Sequence, residues 1–257
     1  MKAVILAGGL GTRMREETEF RPKPMVEIGG RPVLWHIMKI LGAQGISDFI
    51  VCIGYKGQVI RDYFLNYAYR SQDFTISLSA QNEISLHGKH GEEHWNVTLA
   101  DTGTNTMTGG RVYYSKKYLG DEKFLITYGD GLADVNLDSL LNFHKANDST
   151  VTITAAKPRS RFGVLDITSS GTVERFAEKP EGTEWVNIGY MIAEPSFMSY
   201  LNEASVLEEE PLQRLARENK LSAFKHTGFW QPMDTPREAK LLNELWDSGA
   251  APWKIWT

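Results

Sequence analysis

A single cysteine, Cys52, stands among the 257 residues, so no intrachain disulfide is possible. It sits in the apolar stretch Phe49-Ile50-Val51-Cys52-Ile53, where a small buried residue is the ordinary reading. No apolar run approaches the roughly 18 residues of a membrane span, and the run near the start is too short for a signal-peptide core. A cytoplasmic location with no membrane partner is therefore the expectation. Excess positive charge is missing too. A formal net charge of −4 gives no general attraction for nucleic acid, so any polyanion must be held by a few placed cations. That favours a small phosphorylated ligand. Repeats, low-complexity tracts and evident linkers are absent, and 42% hydrophobic with 23% charged residues suits one globular unit with two lobes.

What is present is an alternation of periods. Lys2–Ala7 reads as a buried strand, Pro32–Leu41 as a helix, Asp48–Ile53 as a strand and Gln58–Tyr69 as a helix. Strands are expected at Phe74–Leu78, Trp95–Ala100 and Lys123–Tyr128, with a helix at Leu137–Lys145. This order gives a parallel sheet with crossover helices, an α/β fold. Past residue 150 short strands follow at Val151–Ala156, Gly163–Thr168, Thr172–Phe176 and Val186–Ala193. Helices close the chain at Glu209–Glu218 and Asp234–Trp246, the latter capped by Asp234 or Thr235. Ser85–His94 is expected to be a mobile polar loop over the site or an oligomer contact. The tail tryptophans Trp246, Trp253 and Trp256 suggest apolar surface that needs cover.

The first strand runs into Ala7-Gly8-Gly9-Leu10-Gly11-Thr12-Arg13. No Walker A string G-x-x-x-x-G-K-[ST] occurs, and the dinucleotide fingerprint fails because Met14 replaces its third glycine. Two readings remain. One is a tight turn with a surface arginine. The other is a loop whose backbone N–H groups wrap a polyphosphate while Arg13 neutralises it. Lys23, between Pro22 and Pro24, is held on a stiff segment, which suits a phosphate ligand better than a solvated lysine.

The string L-A-G-G-x-G-T-R followed by P-K-P-M-V-E-I-G-G-R-P resembles the sugar-nucleotide pyrophosphorylases of the nucleotidyltransferase superfamily. Blocks at Trp35–Met38, Gly54–Gly57 and Tyr128–Gly131 extend the resemblance, and those at Trp95–Arg111 and Gly228–Thr235 resemble its cytidylyl branch. The resemblance implies a Rossmann-like, mostly parallel sheet flanked by helices, with a smaller β-rich sugar-binding lobe. A nucleotide-binding part would occupy about residues 1–150, and the sugar-binding part with the last helices 151–257. It also implies transfer of CMP from CTP to a sugar 1-phosphate, with glucose 1-phosphate leading, and a homo-oligomer.

Residue by residue, the nucleotide would be held by Leu6, Ala7, Gly8, Gly9, Gly11, Thr12, Arg13, Lys23, Thr106, Arg111, Tyr128 and Gly129. Asp130 and Asp234 would hold Mg²⁺, which takes one or two carboxylates plus phosphate oxygens and waters. Taken alone, Asp130 is a turn aspartate in an Asp-Gly pair and Asp234 a helix cap. Lys179 would meet the sugar phosphate, making Arg13, Lys23 and Lys179 the catalytic cations. Gly163, after Arg161 and Phe162, would face the hexose together with Glu178 and Asn187.

A phosphate monoester is already nucleophilic, so no general base is required and catalysis reduces to positioning and charge stabilisation. Cytosine presents acceptors at N3 and O2, which calls for donors. Arg111 is the candidate with Thr106 nearby, the alternative being a surface arginine at a helix entry. On this reading Arg111→Ala loses CTP turnover more than it loses fold. In Asn187-Ile188-Gly189 a β-branched residue replaces the family's glycine, either a packing swap or a different sugar. Rival readings are the same chemistry with UTP or dTTP, a non-catalytic binding module, and an NAD-dependent oxidoreductase.

Overall fold

The computed structural model describes residues 1–79, 83–92, 94–158, 163–178 and 182–256, with Arg13, Arg15 and Glu16 described by their backbone alone. Arg159, Arg161, Phe162 and Lys179 lie outside the described residues. Seven strands form the central sheet: β1 (Ala3–Leu6), β2 (Asp48–Ile53), β3 (Asn96–Asp101), β4 (Phe124–Tyr128), β5 (Val151–Ala156), β6 (Val186–Ala193) and β7 (Leu221–Lys225). Their spatial order is β7-β5-β6-β4-β1-β2-β3. β1 pairs in parallel with both β2 and β4, β2 with β3, and β5 with β7, whereas β6 runs antiparallel to both its neighbours. The expected mostly parallel α/β sheet is present, and strands from both halves of the chain complete it.

Helices α1 (Val33–Gly42), α2 (Gly57–Leu65), α3 (Thr108–Ser115), α4 (Leu137–Asn147), α5 (Glu210–Arg217) and α6 (Pro236–Asp247) flank the sheet. β1 is apolar throughout because both of its faces are covered. Ala3 and Ile5 pack on one side with Ile37, Phe49 and Leu125. Val4 and Leu6 pack on the other with Ile50, Ile126 and Phe197. None of the described helices is long and apolar enough to cross a membrane.

Several expectations need correction. The helix expected over Gln58–Tyr69 breaks at Asn66, whose side chain turns back onto the Asp62 carbonyl at 2.8 Å, and a short helix resumes at Tyr67–Ser71. The strand near Phe74 does not join the central sheet. It pairs with Ile84–His87 in a separate hairpin, so Ser85–His94 starts within a strand. Glu92 then anchors this segment, being buried and accepting from Lys39 at 2.8 Å and Tyr67 at 3.1 Å. The tail tryptophans cover their own chain. Trp253 is fully buried, and with Trp246 it surrounds His36 at ring distances of 6.2 and 4.7 Å. Solvent-facing apolar groups cluster instead on two hairpins, Asp73–Ile76 with Ile84–His87 and Val164–Ile167 with Val173–Ala177, besides scattered ones such as Phe20 and Leu65.

Candidate active site

The C-terminal ends of β1 and β4 open on a cleft of about 530 Å³, the crevice where ligands of open α/β sheets bind. Lys23 sits at its floor in a one-turn helix, Lys23–Met25, entered from Pro22 at φ −68°. Its ammonium donates to Asp130 Oδ2 at 2.6 Å and to Asp234 Oδ1 at 2.5 Å. One nitrogen thus keeps two distant acidic side chains within two hydrogen-bond lengths of each other.

The backbone explains how they meet. Asp130 follows β4 directly, and the next residues, Gly131–Ala133, pair antiparallel with Trp230–Pro232. Met233 N–H then bonds to the Asp130 carbonyl at 2.8 Å, which sets Asp234 beside Asp130. The cap alternative for Asp234 is answered here too, because Thr235 Oγ1 accepts from Glu238 N–H at the start of α6. Burial pulls the Lys23 pKa down, but attraction and hydrogen bonding from Asp130, then Asp234, outweigh it and leave it above the usual lysine value. Lys23 is therefore a fixed cation.

Helix α6 also reaches the Lys23 segment from behind. Asn243 Oδ1 accepts from Gly29 N–H at 3.0 Å, and a Cβ on Gly29 would meet Trp246 at 2.0 Å. Gly29 has φ +57°, so that turn favours glycine on two counts. The same helix thus positions both Asp234 and the chain that carries Lys23.

Loop Gly8–Thr12 forms the upper wall. Among the described residues no hydrogen bond engages the N–H groups of Gly8, Gly9, Leu10 or Gly11, whereas Ala7 N–H before them and Met14 N–H after them are bonded. Unpaired backbone donors facing a cleft make an anion cradle. The glycines differ in their reasons. Gly9 has open space around it, whereas a Cβ on Gly8 would lie 2.0 Å from Arg111 Nη1. Gly8 thus makes room for a guanidinium.

Arg111, on α3, is 4% exposed, which removes the surface-arginine alternative. Nη1 donates to Thr102 Oγ1 at 2.7 Å and the Gly103 carbonyl at 2.9 Å, and Nη2 to the Gly8 carbonyl at 2.8 Å. Burial lowers its pKa. The side chain ties the ends of β1 and β3 together, and these donors point at protein carbonyls. Thr106 is similarly engaged, donating to the Thr102 carbonyl. Gly129 allows another close approach, since a Cβ there would meet Pro24 Cγ and the Leu6 carbonyl at 2.9 Å. Burial, then the Glu208 carboxylate, push the Tyr128 phenol above its ordinary pKa, and its hydroxyl bonds to Glu208.

Leu6, Ala7, Gly8, Gly9, Gly11, Thr12, Lys23, Thr106, Arg111, Tyr128 and Gly129 all border the cleft, as do Asp130 and Asp234. Gly163, Glu178 and Asn187 do not. Asn187 instead accepts from Gly189 N–H at 2.9 Å, and Ile188 is buried in the core, which supports the packing-swap reading of that departure. Arg13 has no described side chain, and Lys179 is outside the described residues. Sequence reasoning missed Leu10 and Met107, each 49% exposed at the cleft rim, and Thr104, Asn105 and Thr108. Their signal was adjacency to Gly9, Thr106 and Arg111.

No group of three or more His, Cys, Asp or Glu side chains suited to a metal occurs among the described residues. Two carboxylates on the wall of the cleft still fit Mg²⁺, which draws its remaining ligands from substrate oxygens and water.

A model of the Nucleotidyl transferase family matches residues 2–234. A Salmonella typhi protein named glucose-1-phosphate cytidylyltransferase is 52% identical over 259 residues, spanning 100% of both chains. A Bacillus subtilis protein named probable glucose-1-phosphate cytidylyltransferase is 41% identical over 258 residues, again spanning 100% of each. Among solved structures, HddC from Yersinia pseudotuberculosis superposes with a TM-score of 0.68 at 25% identity, over 95% of this chain and 99% of that one. A UDP-glucose pyrophosphorylase complexed with UDP-glucose shares the fold, with a TM-score of 0.69 at 16% identity over 96% and 98% of the two chains. The chain belongs to the nucleotidyl transferase family.

Proposed function

We propose that this chain transfers CMP from CTP to a sugar 1-phosphate, with glucose 1-phosphate as the leading acceptor, giving CDP-glucose and pyrophosphate. The observation that carries the reading is Lys23 between Asp130 and Asp234 at the floor of a cleft walled by unpaired loop N–H groups. Full-length relatives at 52% and 41% identity bear the corresponding name.

In this mechanism the loop from Gly8 to Thr12 receives the triphosphate on its N–H groups, with Arg13 as a countercharge. Lys23 turns its charge onto the phosphates as they arrive. An oxygen of the sugar phosphate forms a bond to the α-phosphorus in line, and the bond from that phosphorus to the bridging oxygen of pyrophosphate breaks. Lys179 holds the acceptor phosphate, with Gly163, Glu178 and Asn187 toward the hexose. Asp130 and Asp234 are the residues that would hold Mg²⁺. Bound there, the ion supplies charge neutralisation between two anions whose contact at 4 Å costs about 4 kcal/mol at an effective dielectric near 20. Arg111 supplies order to the nucleotide end by holding the Gly8 and Gly103 carbonyls, and reading of cytosine through Arg111 and Thr106 is part of the proposal.

We read residues 1–257 as a single domain acting in the cytoplasm, with a nucleotide-binding part over about 1–150 and a sugar-binding part beyond. A homo-oligomer is supported by the first hairpin, where Phe74, Ile76, Ile84 and Leu86 share one face at 42–45% exposure. The test is pyrophosphate release with Mg²⁺ across CTP, UTP and dTTP against several sugar 1-phosphates. CTP with glucose 1-phosphate is expected to lead, and no product from any pair defeats the reading.

A further inference from the structure

β5 and β7 run parallel to each other and, through antiparallel β6, in the same sense as β4. The C-terminal ends of β5 and β7 and the start of β6 therefore share the sheet edge on which Asp130 lies. Lys157 follows β5, Trp185 precedes β6, and Lys225 ends β7. The Lys157 ammonium stands 5.2 Å from the centre of the Trp185 ring and the Lys225 ammonium 5.4 Å. Among the described residues neither ammonium meets a carboxylate. Trp185 is 39% exposed, so the group faces solvent.

Two cations on one ring, neither paired with a described carboxylate, stand out in a chain of net charge −4. Like charges repel, and one shared ring attracts both through its quadrupole. The register places the group. Ala155 pairs with Asn187 on one side and Lys225 on the other, and the next pair outward from Ala156–Val186 carries Lys157 and Trp185. Strand β5 is two positions from β4, about 10 Å at ordinary strand spacing. The cations thus lie outside the cleft, one strand over from Asn187, the residue that the acceptor reading turns toward the hexose.

We propose that Lys157, Lys225 and Trp185 form a capture site for the phosphate group of the acceptor, a phosphomonoester dianion, before it enters the cleft. Two ammonium groups on one rigid ring match a double negative charge, and a cationic edge concentrates that anion and speeds its entry. This rests on the reading that the acceptor is a sugar 1-phosphate. The site differs from the cations expected at the reacting phosphates, because it acts on encounter.

The test is steady-state kinetics of the full chain. For the double variant Lys157→Met/Lys225→Met the KM for glucose 1-phosphate is expected to rise about tenfold and to lose most of its dependence on ionic strength. kcat and the KM for CTP are expected to stay within about twofold. Inorganic phosphate, competing with the sugar phosphate in the wild type, is expected to lose potency in parallel. The charge-keeping Lys157→Arg/Lys225→Arg protein is expected to restore wild-type values. An unchanged KM for glucose 1-phosphate overturns the proposal, and so does an equal rise in both KM values or failure of the arginine pair to restore. Should the wild type make no product, calorimetric titration of glucose 1-phosphate into the free protein still decides it, since a capture site requires weaker binding in the methionine pair.

Discussion

Lys23 Nζ lies 2.6 Å from Asp130 Oδ2 and 2.5 Å from Asp234 Oδ1, so an internal cation holds the two carboxylates that would receive a divalent ion. The lysine and the ion therefore compete for the same oxygens in the ligand-free protein, while both serve the phosphates once substrate arrives. Lys23→Met is expected to lower CTP turnover by about 100-fold or more, the scale of a lost transition-state contact to developing charge. The same variant is expected to bind Mn²⁺ more tightly than the wild type in the absence of nucleotide, measured by calorimetry or electron paramagnetic resonance. Weaker Mn²⁺ binding by the variant counts against shared occupancy.

Arg111 and Gly8 form a second coupled pair. Removing the guanidinium leaves the Gly103 carbonyl without its donor, at about 1–3 kcal/mol, while the Gly8 carbonyl keeps Tyr55 N–H at 3.1 Å and the Thr102 hydroxyl still donates to the Ile53 carbonyl at 2.9 Å. Arg111→Ala should therefore lose stability as well as CTP turnover, which revises the expectation of a mainly catalytic loss. Gly8→Ala should act through the same contact, because its Cβ would sit 2.0 Å from Nη1. In a double-mutant cycle read by urea unfolding, Gly8→Ala is expected to cost at least about 1 kcal/mol less once Arg111 is alanine. Additive effects would show that the two do not act through one contact.

How much of this was legible in the sequence depended on how local the signal was. The glycine loop, the lysine between prolines and the Asp-Gly pair each lie within a few residues of a strand end, and all reach the cleft. Asp234 looked equally like a helix cap, and only the Gly131–Ala133 ribbon with Trp230–Pro232, strands far apart in sequence, brings it to Asp130. The glycines misled in one respect. Gly8 is required by a side chain 103 residues away, a demand that no local pattern carries. The hairpin at Phe74 failed for a related reason, since an alternating strand reads the same whether it joins the main sheet or stands apart. On the sugar side, Gly163, Glu178 and Asn187 came from resemblance alone, and the cleft stops short of them.

Thr154 offers a prediction in the opposite direction. It is fully buried in β5, and among the described residues its hydroxyl has no hydrogen-bond partner. Thr154→Val keeps the shape and the β-branching while removing an unpaired polar group, so stability should hold or rise by about 1 kcal/mol. Thermal unfolding checks it, and a drop of the midpoint by several degrees would mean that the hydroxyl has a partner after all.

His36 joins the tail to the Lys23 segment, and its chemistry sets an acid limit. The ring is fully buried, donates from Nε2 to the Ile28 carbonyl at 2.8 Å, and accepts at Nδ1 from the Trp253 indole at 3.3 Å. Burial, despite the helpful Ile28 bond, lowers its pKa from 6.5 to about 4. A second ring proton would face the Trp253 N–H, a donor against a donor. Because the folded pKa lies below the unfolded one, the unfolded chain binds the extra proton first as pH falls. Stability from this group is whole above pH 6.5 and is lost as pH drops toward 4, by about 3 kcal/mol at 1.36 kcal/mol per unit. His36→Gln keeps polar atoms without titrating, so its unfolding free energy should fall less than the wild type's between pH 7 and pH 4.5. Parallel pH profiles for the two proteins would show that His36 does not set the slope.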